Sequence, residues 1–144
     1  MSRADGSRSL VTVTDAESLG RVHELLAGLW RDRPEVPDED RIALETALAE
    51  LVANAVEHAS PGLPVPMDIA VECWPDRLEA VLRDSGVPLP AAALAVLTAA
   101  EPPEVDPLAE SGRGLLLVRL TMDEVTYSRG ADDRNVWRLV RRRR

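Results

Sequence analysis

Residues 44–59 decide the fold, and they read Leu-Glu-Thr-Ala-Leu-Ala-Glu-Leu-Val-Ala-Asn-Ala-Val-Glu-His-Ala. Apolar residues in this stretch cover most of the circumference of a helix, which indicates that the helix is largely buried. The remaining polar residues form one thin stripe, because spacings of four place side chains above one another. The stripe comprises Thr46, Glu50, Asn54, Glu57 and His58. Periodicity alone favours a solvated face, but a narrow polar stripe with Asn inside a buried helix also suits the lining of a cleft.

The pattern on either side of this helix predicts a single α+β domain. The predicted elements are a strand at 10–14, a helix ending near 31, the buried helix from about 37 to 59, hairpin strands at 66–73 and 78–83, a helix at 114–120, and hairpin strands at 124–128 and 135–140. The Pro-rich residues 84–111 indicate a long loop around one short helix. We therefore predict a two-layer α+β sandwich, with helices on one face of a mixed, mostly antiparallel sheet.

Composition excludes several function classes. The 144 residues carry 17 basic and 25 acidic side chains, and this net charge of −8 repels nucleic-acid phosphates at long range. Only 3% of the residues are aromatic, so recognition of bases by stacking is disfavoured. All the basic residues are Arg, which excludes the Lys-containing phosphate loop.

The distribution of Cys and of apolar residues points to the cytoplasm. Cys73 is the only cysteine, so an internal disulfide and a thiolate metal cluster are excluded. The polar residues 1–9 do not look like a secretory signal, and no apolar run is long enough for a membrane span. We expect a cytoplasmic protein without membrane contact. The Arg run at 141–144 is expected to be a solvated tail, although contact with an anionic partner stays open.

Two short motifs flank the Pro-rich loop. Asp84-Ser85-Gly86 stands where the first hairpin ends. A carboxylate there can accept a hydrogen bond from a ligand amine while Gly permits close approach, although Asp-x-Gly is also an ordinary turn. Glu110-Ser111-Gly112-Arg113-Gly114 precedes a helix, with Gly112 at its entry. A helix start offers free N–H groups to phosphate oxygens, and a plain helix cap explains this second motif equally well.

The order of the three motifs is more specific than any one of them. Residues 44–59, 84–86 and 111–125 follow in the order of the N, G1 and G2 boxes, and the last reads Ser-Gly-Arg-Gly-Leu-Leu-Leu-Val-Arg-Leu-Thr-Met-Asp-Glu-Val. The sequence resembles the histidine-kinase-like (GHKL, Bergerat-fold) ATPases, and it is most similar to the anti-sigma-factor serine/threonine kinases. The resemblance implies a Bergerat ATP-binding domain at 8–141 with an ATP lid, and tails at 1–7 and 142–144.

The resemblance also implies roles for residues near the phosphates. Asn54 would bind a Mg²⁺ ion that bridges the phosphates of ATP, because Mg²⁺ prefers oxygen ligands and retains phosphate and water ligands. Glu50, one turn earlier, would be the catalytic base that accepts the proton of an attacking hydroxyl. Gly112, Arg113 and Gly114 would close the lid over the phosphates.

A second set of residues is implied at the adenine. Asp84 would accept a hydrogen bond from the exocyclic amine, with Gly86 allowing close approach. Asn135 would lie near the adenine, where relatives often carry Thr. After the G1 motif this chain has Val87-Pro88-Leu89-Pro90, where relatives often have another Gly or an aromatic residue, so this end of the box is expected to differ.

The function implied by the resemblance is that of an ATP-binding anti-sigma factor. It would phosphorylate Ser or Thr on a small antagonist protein and bind a sigma factor when the antagonist is absent. Its partners would be proteins and not nucleic acids, and because relatives commonly dimerise, a homodimer stays open. A nucleotide-gated binding module with little or no phosphotransfer is the alternative, since Glu50 favours catalysis whereas the altered G1 end favours the module. An interaction domain without a ligand would require all three motifs to be accidental.

Overall fold

Within the described residues, one five-stranded sheet forms the base of the molecule. The computed structural model describes residues 4–59, 63–101 and 110–144, and the strands are β1 (Gly6–Val13), β2 (Pro66–Cys73), β3 (Arg77–Asp84), β4 (Glu124–Arg129) and β5 (Asn135–Arg142). They lie in the order β1-β2-β3-β5-β4, and the pairings between them are antiparallel. Both predicted hairpins are confirmed, since β2 pairs with β3 and β4 pairs with β5. Alternating apolar side chains determine which face of β2 and β3 is buried.

The helices cover one face of this sheet. They are α1 (Ser18–Asp32), α2 (Asp38–Asn54), α3 (Ala91–Thr98) and α4 (Glu110–Thr121), and the π-helical residues Ala55–Ala59 continue α2. Their inward side chains meet those of the sheet in an aliphatic core that includes Leu26, Leu48, Leu82, Leu115 and Leu139. The predicted α+β sandwich with helices on one face of a mostly antiparallel sheet is confirmed.

Helix α4 begins earlier than the sequence pattern predicts. Its first residue is Glu110, so Gly112 and Arg113, which the pattern places before the helix, lie in its first turn. Each Gly costs a helix interior about 1 kcal/mol relative to Ala, which is why the pattern places the start no earlier than Gly114. Packing of α4 against α2 offsets that cost. The expected stop of the buried helix at 60–62 and residues 102–109 of the predicted Pro-rich loop lie outside the described residues.

The C-terminal arginines belong to the folded body. Arg141 Nε donates to Oδ1 of the buried Asp40 at 3.0 Å, and Arg141 Nη1 donates to the carbonyl of Thr121 at 2.9 Å. Arg144 forms a salt bridge with Asp123 at 3.3 Å. The expectation of a solvated Arg tail is therefore wrong, because these side chains tie the end of the chain to α2 and to the start of the last hairpin.

The sheet extends beyond the limits that the motifs give for the domain. Strand β1 begins at Gly6 and β5 ends at Arg142, whereas the sequence-based limits are residues 8 and 141. Across the described ranges, no helix combines the length and apolar character that crossing a bilayer requires. Cys73 is buried in β2.

Candidate nucleotide site

Asn54, the last residue of α2, lies at a change in helix geometry. From Ala55 the backbone continues as a π-helical segment. Such segments insert an extra residue per turn, redirect the side chains around them, and occur frequently at functional sites. Asn54 is half-buried and lines a cavity. At this position, the structure supports the cleft interpretation of the polar stripe.

Asp84 lies in a row of polar side chains across three strands. It ends β3 and is directly opposite Asn135, which begins β5 and is in turn opposite Arg129 at the end of β4. Asn135 Nδ2 and the backbone N–H of Gly86 both donate to Asp84 Oδ1 at 2.9 Å. Asp84 is 1% exposed, and within the described part of the chain its Oδ2 has no hydrogen-bond donor. Because Asp84 lines a cavity, its Oδ2 is open to accept a hydrogen bond from a ligand or from water.

Asp84 and Asn54 line the same cavity, which has a volume of about 120 Å³. Whole small-molecule sites usually measure about 300–1,000 Å³, so this cavity encloses one ring-sized part of a ligand. Its lining residues are Asn54, Asp84, Val87, Pro88, Leu89, Pro90, Ala93, Tyr127, Asn135 and Trp137. Apolar walls with a few convergent polar groups suit a flat heterocycle that has a hydrogen-bond donor on its edge.

Further hydrogen bonds connect the last hairpin to the segment after β3. Tyr127 donates its hydroxyl to Asn135 Oδ1 at 2.5 Å and accepts the backbone N–H of Leu89 at 2.9 Å. Arg129 Nη1 donates to Asn135 Oδ1 at 3.0 Å and to the carbonyl of Gly86 at 2.7 Å. One wall of the cavity is therefore held in place by β4 and β5.

Glu50 lies one turn before Asn54 but contacts α4. A Cβ atom added to Gly114 would lie 2.5 Å from Glu50 Oε2, so the carboxylate rests against the glycine backbone. Glu50 is not among the residues that line the cavity. Gly112 is half-buried and Arg113 is exposed, both in the first turn of α4. The predicted site residues thus fall into a cavity group and an α2–α4 group, which are connected along α2.

The sequence of the whole domain matches a known family. A sequence model described as the histidine kinase-like ATPase domain matches residues 12–141. The chain belongs to the histidine kinase-like ATPase family. Membership confirms the predicted superfamily and implies ATP binding by this domain. In comparison with curated proteins, no match is found.

Two solved structures are similar to this chain. The chain is similar to a structure of the RsbU and RsbW domains of Rv1364c from Mycobacterium tuberculosis, with a TM-score of 0.62 and 14% identity over 96% of this chain and 32% of that chain. It therefore spans about a third of that protein chain. The histidine kinase AdeS of Acinetobacter baumannii gives a TM-score of 0.49 and 14% identity over 93% of this chain and 68% of that chain. At 14% identity, the likeness to the Mycobacterium tuberculosis structure shows the fold alone.

Sequence reasoning about this ATPase domain missed part of the cavity. Tyr127 and Arg129 were not among the predicted site residues, although both bond to Asn135. One signal was available, because Tyr127 is the only tyrosine in the chain and stands in a short, mostly polar strand. Trp137 was also missed; it packs against Tyr127 with ring centroids 4.9 Å apart.

Proposed function

We propose that this domain is a serine/threonine kinase of the anti-sigma-factor type, which uses ATP to phosphorylate a small antagonist protein. In the absence of the antagonist it binds a sigma factor. One observation carries the proposal: the buried Asp84 and the half-buried Asn54 line one cavity, and Glu50 stands one turn earlier on the same helix. The sequence resemblance to anti-sigma-factor kinases supports a protein as the phosphate acceptor.

The cavity would hold the adenine of ATP. Oδ2 of Asp84 accepts a hydrogen bond from the exocyclic amine, which supplies the donor that the oxygen lacks within the described residues. The apolar side chains of Leu89 and Trp137 provide walls for the faces of the ring. A hydrogen bond to a charged group contributes about 1.5–3 kcal/mol, which is enough to select a base that carries an amine.

Asn54 is the residue suited to hold Mg²⁺. Within the described residues, no group of three or more His, Cys, Asp or Glu side chains is placed to hold a metal ion. A single amide oxygen fits a cation that takes most of its ligands from nucleotide phosphates and water. When bound, Mg²⁺ supplies positive charge that stabilises the phosphates during transfer.

Glu50 would act as the base that accepts the proton of the acceptor hydroxyl. In the proposed reaction the Ser or Thr oxygen forms a bond to the γ-phosphorus, the bond between that phosphorus and the β–γ bridging oxygen breaks, and ADP leaves. The hydroxyl proton passes to the Glu50 carboxylate, which contributes about 10²–10⁴-fold to the rate. Free N–H groups at the start of α4, near Gly112, and the exposed Arg113 would contact the phosphates.

Radiolabelled ATP, Mg²⁺ and candidate antagonist proteins test the proposal. Glu50→Gln is expected to keep the affinity for ATP and to lose at least about 100-fold in transfer rate. Asn54→Ala is expected to lose the Mg²⁺-dependent part of ATP binding in calorimetry. Glu24→Gln, which neutralises an exposed carboxylate on α1, serves as the matched control and leaves both unchanged. Undiminished transfer by Glu50→Gln would remove Glu50 as the base.

A nucleotide-gated binding module is a second candidate, and one observation favours it. The Glu50 carboxylate contacts Gly114 of α4, so this side chain links the site to a helix that a partner can sense. The module would bind ATP and a partner but release no phosphorylated product. ATP that stays intact over many hours beside every partner captured would favour the module over the kinase.

A further inference from the structure

Three residues of the last hairpin hold the segment that follows Asp84. We call Tyr127, Arg129 and Asn135 the β4–β5 clamp. Asn135 Nδ2 donates to the carbonyl of Val87 at 2.8 Å, in addition to its bond with Asp84. Together with the bonds of Tyr127 and Arg129, the clamp fixes the segment at the carbonyls of Gly86 and Val87 and at the N–H of Leu89.

The hydrogen-bonding capacity of Asn135 is fully used. An Asn side chain has two N–H donors and one oxygen with two lone pairs. The donors go to Asp84 Oδ1 and to the carbonyl of Val87, and the oxygen accepts from Tyr127 and Arg129. Asn135 is also 3% exposed. A nucleotide therefore finds no free group on this amide, although the side chain lines the cavity.

The clamp also determines which oxygen of Asp84 a ligand meets. Oδ1 is occupied by the Asn135 amide and the Gly86 N–H, each at 2.9 Å. Two donors on one oxygen restrict rotation of the carboxylate and leave Oδ2 for the ligand. The segment has few other ways to stay in place, because Pro88 and Pro90 lack N–H groups and do not form strand pairing.

We infer that the β4–β5 clamp consists of positioning residues that set base selectivity by orienting Asp84, and that Asn135 acts through Asp84 and not by contacting the base. This inference rests on the proposed function of the cavity as an adenine site. It gives a role to Asn135, which the resemblance places near the adenine and which lines the cavity. Preorganised polar groups discriminate between ligands because a mismatched ligand leaves them unpaired.

The test compares two nucleotides that differ only at the amine. Affinities of the full chain for Mg²⁺-ATP and for Mg²⁺-purine riboside triphosphate, which lacks the exocyclic amine, are measured by calorimetry. The unaltered protein is expected to prefer ATP by about 10- to 100-fold, the range of a hydrogen bond to a charged group. In Asn135→Ala this ratio is expected to fall to about 1–3, since only the Gly86 N–H then holds Oδ1 and the orientation of the carboxylate is weakly fixed.

Tyr127→Phe keeps the inference testable if Asn135→Ala does not fold. It removes only the hydroxyl that bonds Asn135 and Leu89 and retains the ring that packs on Trp137. We expect it to lower the ratio by about 3-fold or more, by weakening one of the bonds that hold the amide. Thr126→Val removes a hydroxyl from the neighbouring exposed position of β4 and is expected to leave the ratio unchanged.

The nucleotide ratio separates positioning from a purely structural role. A loss of folded protein or of cavity shape weakens both nucleotides by the same factor and leaves the ratio unchanged. If the folded clamp variants keep the original ratio, the inference is wrong while the adenine site stands. If the unaltered protein binds neither nucleotide, or binds both equally, the proposed adenine contact of Asp84 fails, and the inference fails with it.

Discussion

Replacing Gly114 by Ala places a methyl group where the Glu50 carboxylate now lies. A Cβ atom at this position is 2.5 Å from Glu50 Oε2, and the next nearest atoms, at 3.4 and 3.8 Å, belong to the same side chain. Ordinary van der Waals contact begins near 3.4 Å, so the oxygen has to withdraw from 2.5 to 3.4 Å, a displacement of about 0.9 Å. The obstacle is the end of a flexible side chain, and the backbone of α4 can therefore stay in place.

The magnitude of the effect follows from this displacement. Misplacing a reacting group by about 1 Å can cost about 100-fold in rate, so we expect Gly114→Ala to slow phosphotransfer by about 10- to 100-fold. Affinity for ATP is expected to stay the same, because Glu50 does not line the cavity. The substitution also favours the helix by up to about 1 kcal/mol, which raises the melting temperature of a chain this size by about 2–4 °C.

Three measurements and two controls decide the outcome. Gly114→Ala is compared with Gly20→Ala in single-turnover transfer to the antagonist, calorimetry with Mg²⁺-ATP, and thermal unfolding. Gly20 lies in α1, and a Cβ atom added there meets no atom within 4 Å. Gly20→Ala is expected to raise the melting temperature without slowing transfer. The double variant Glu50→Gln/Gly114→Ala is expected to be no slower than Glu50→Gln alone. Wild-type transfer by Gly114→Ala, or additive losses in the double variant, would refute the reasoning.

Two further predictions concern stability. Arg141→Met leaves the fully buried Asp40 without its ion-pair partner and is expected to lower the free energy of unfolding by about 3–5 kcal/mol in urea denaturation. Partial burial raises the pKa of Asp123, but the backbone N–H of Arg142 and the guanidinium of Arg144 outweigh it and hold the pKa below the ordinary value of 3.8. Asp123 therefore stabilises the fold above that value and loses this contribution as the pH falls through the lower folded-state pKa. Asp123→Asn is expected to be less stable than the unaltered chain at pH 7, and the difference is expected to shrink as the pH falls below 3.8.

Each stability prediction has a clear contrary result. If the Arg141→Met variant unfolds at the same urea concentration as the unaltered chain, the buried pair does not contribute as argued. Adding Asp40→Asn is expected to recover part of the loss, because it removes the unpaired charge. A stability difference between Asp123→Asn and the unaltered chain that does not shrink at any pH below 3.8 at which the chain still folds would contradict a contribution from ionised Asp123.

Local patterns in the sequence were sufficient for the elements that carry the site. The four-residue spacing of the stripe placed Glu50 and Asn54 one turn apart on one helix, and the structure has both on α2. Alternation of apolar residues placed Asp84 at the end of a strand, where β3 does end. These predictions hold because helical and strand periodicities depend on neighbouring residues alone.

Those patterns could not predict contacts between parts of the chain that are distant in the sequence. The pairing of β3 with β5 brings Asp84 opposite Asn135, which is 51 residues away in the sequence. No local pattern shows that Tyr127 and Arg129 use the remaining capacity of that amide. The early start of α4 also depends on packing against α2, which overrides the low helix propensity of Gly112 and Gly114.

The sequence by itself therefore determined the family, the order of the elements and the chemical types of the site residues, because motif order and periodicity are properties of the linear chain. The tertiary structure decided which of those residues meet. It joined Asp84 to the clamp of the last hairpin, set Glu50 against Gly114, and placed Arg141 over Asp40. Such juxtapositions follow from strand register and helix packing, which are fixed only when the whole core assembles.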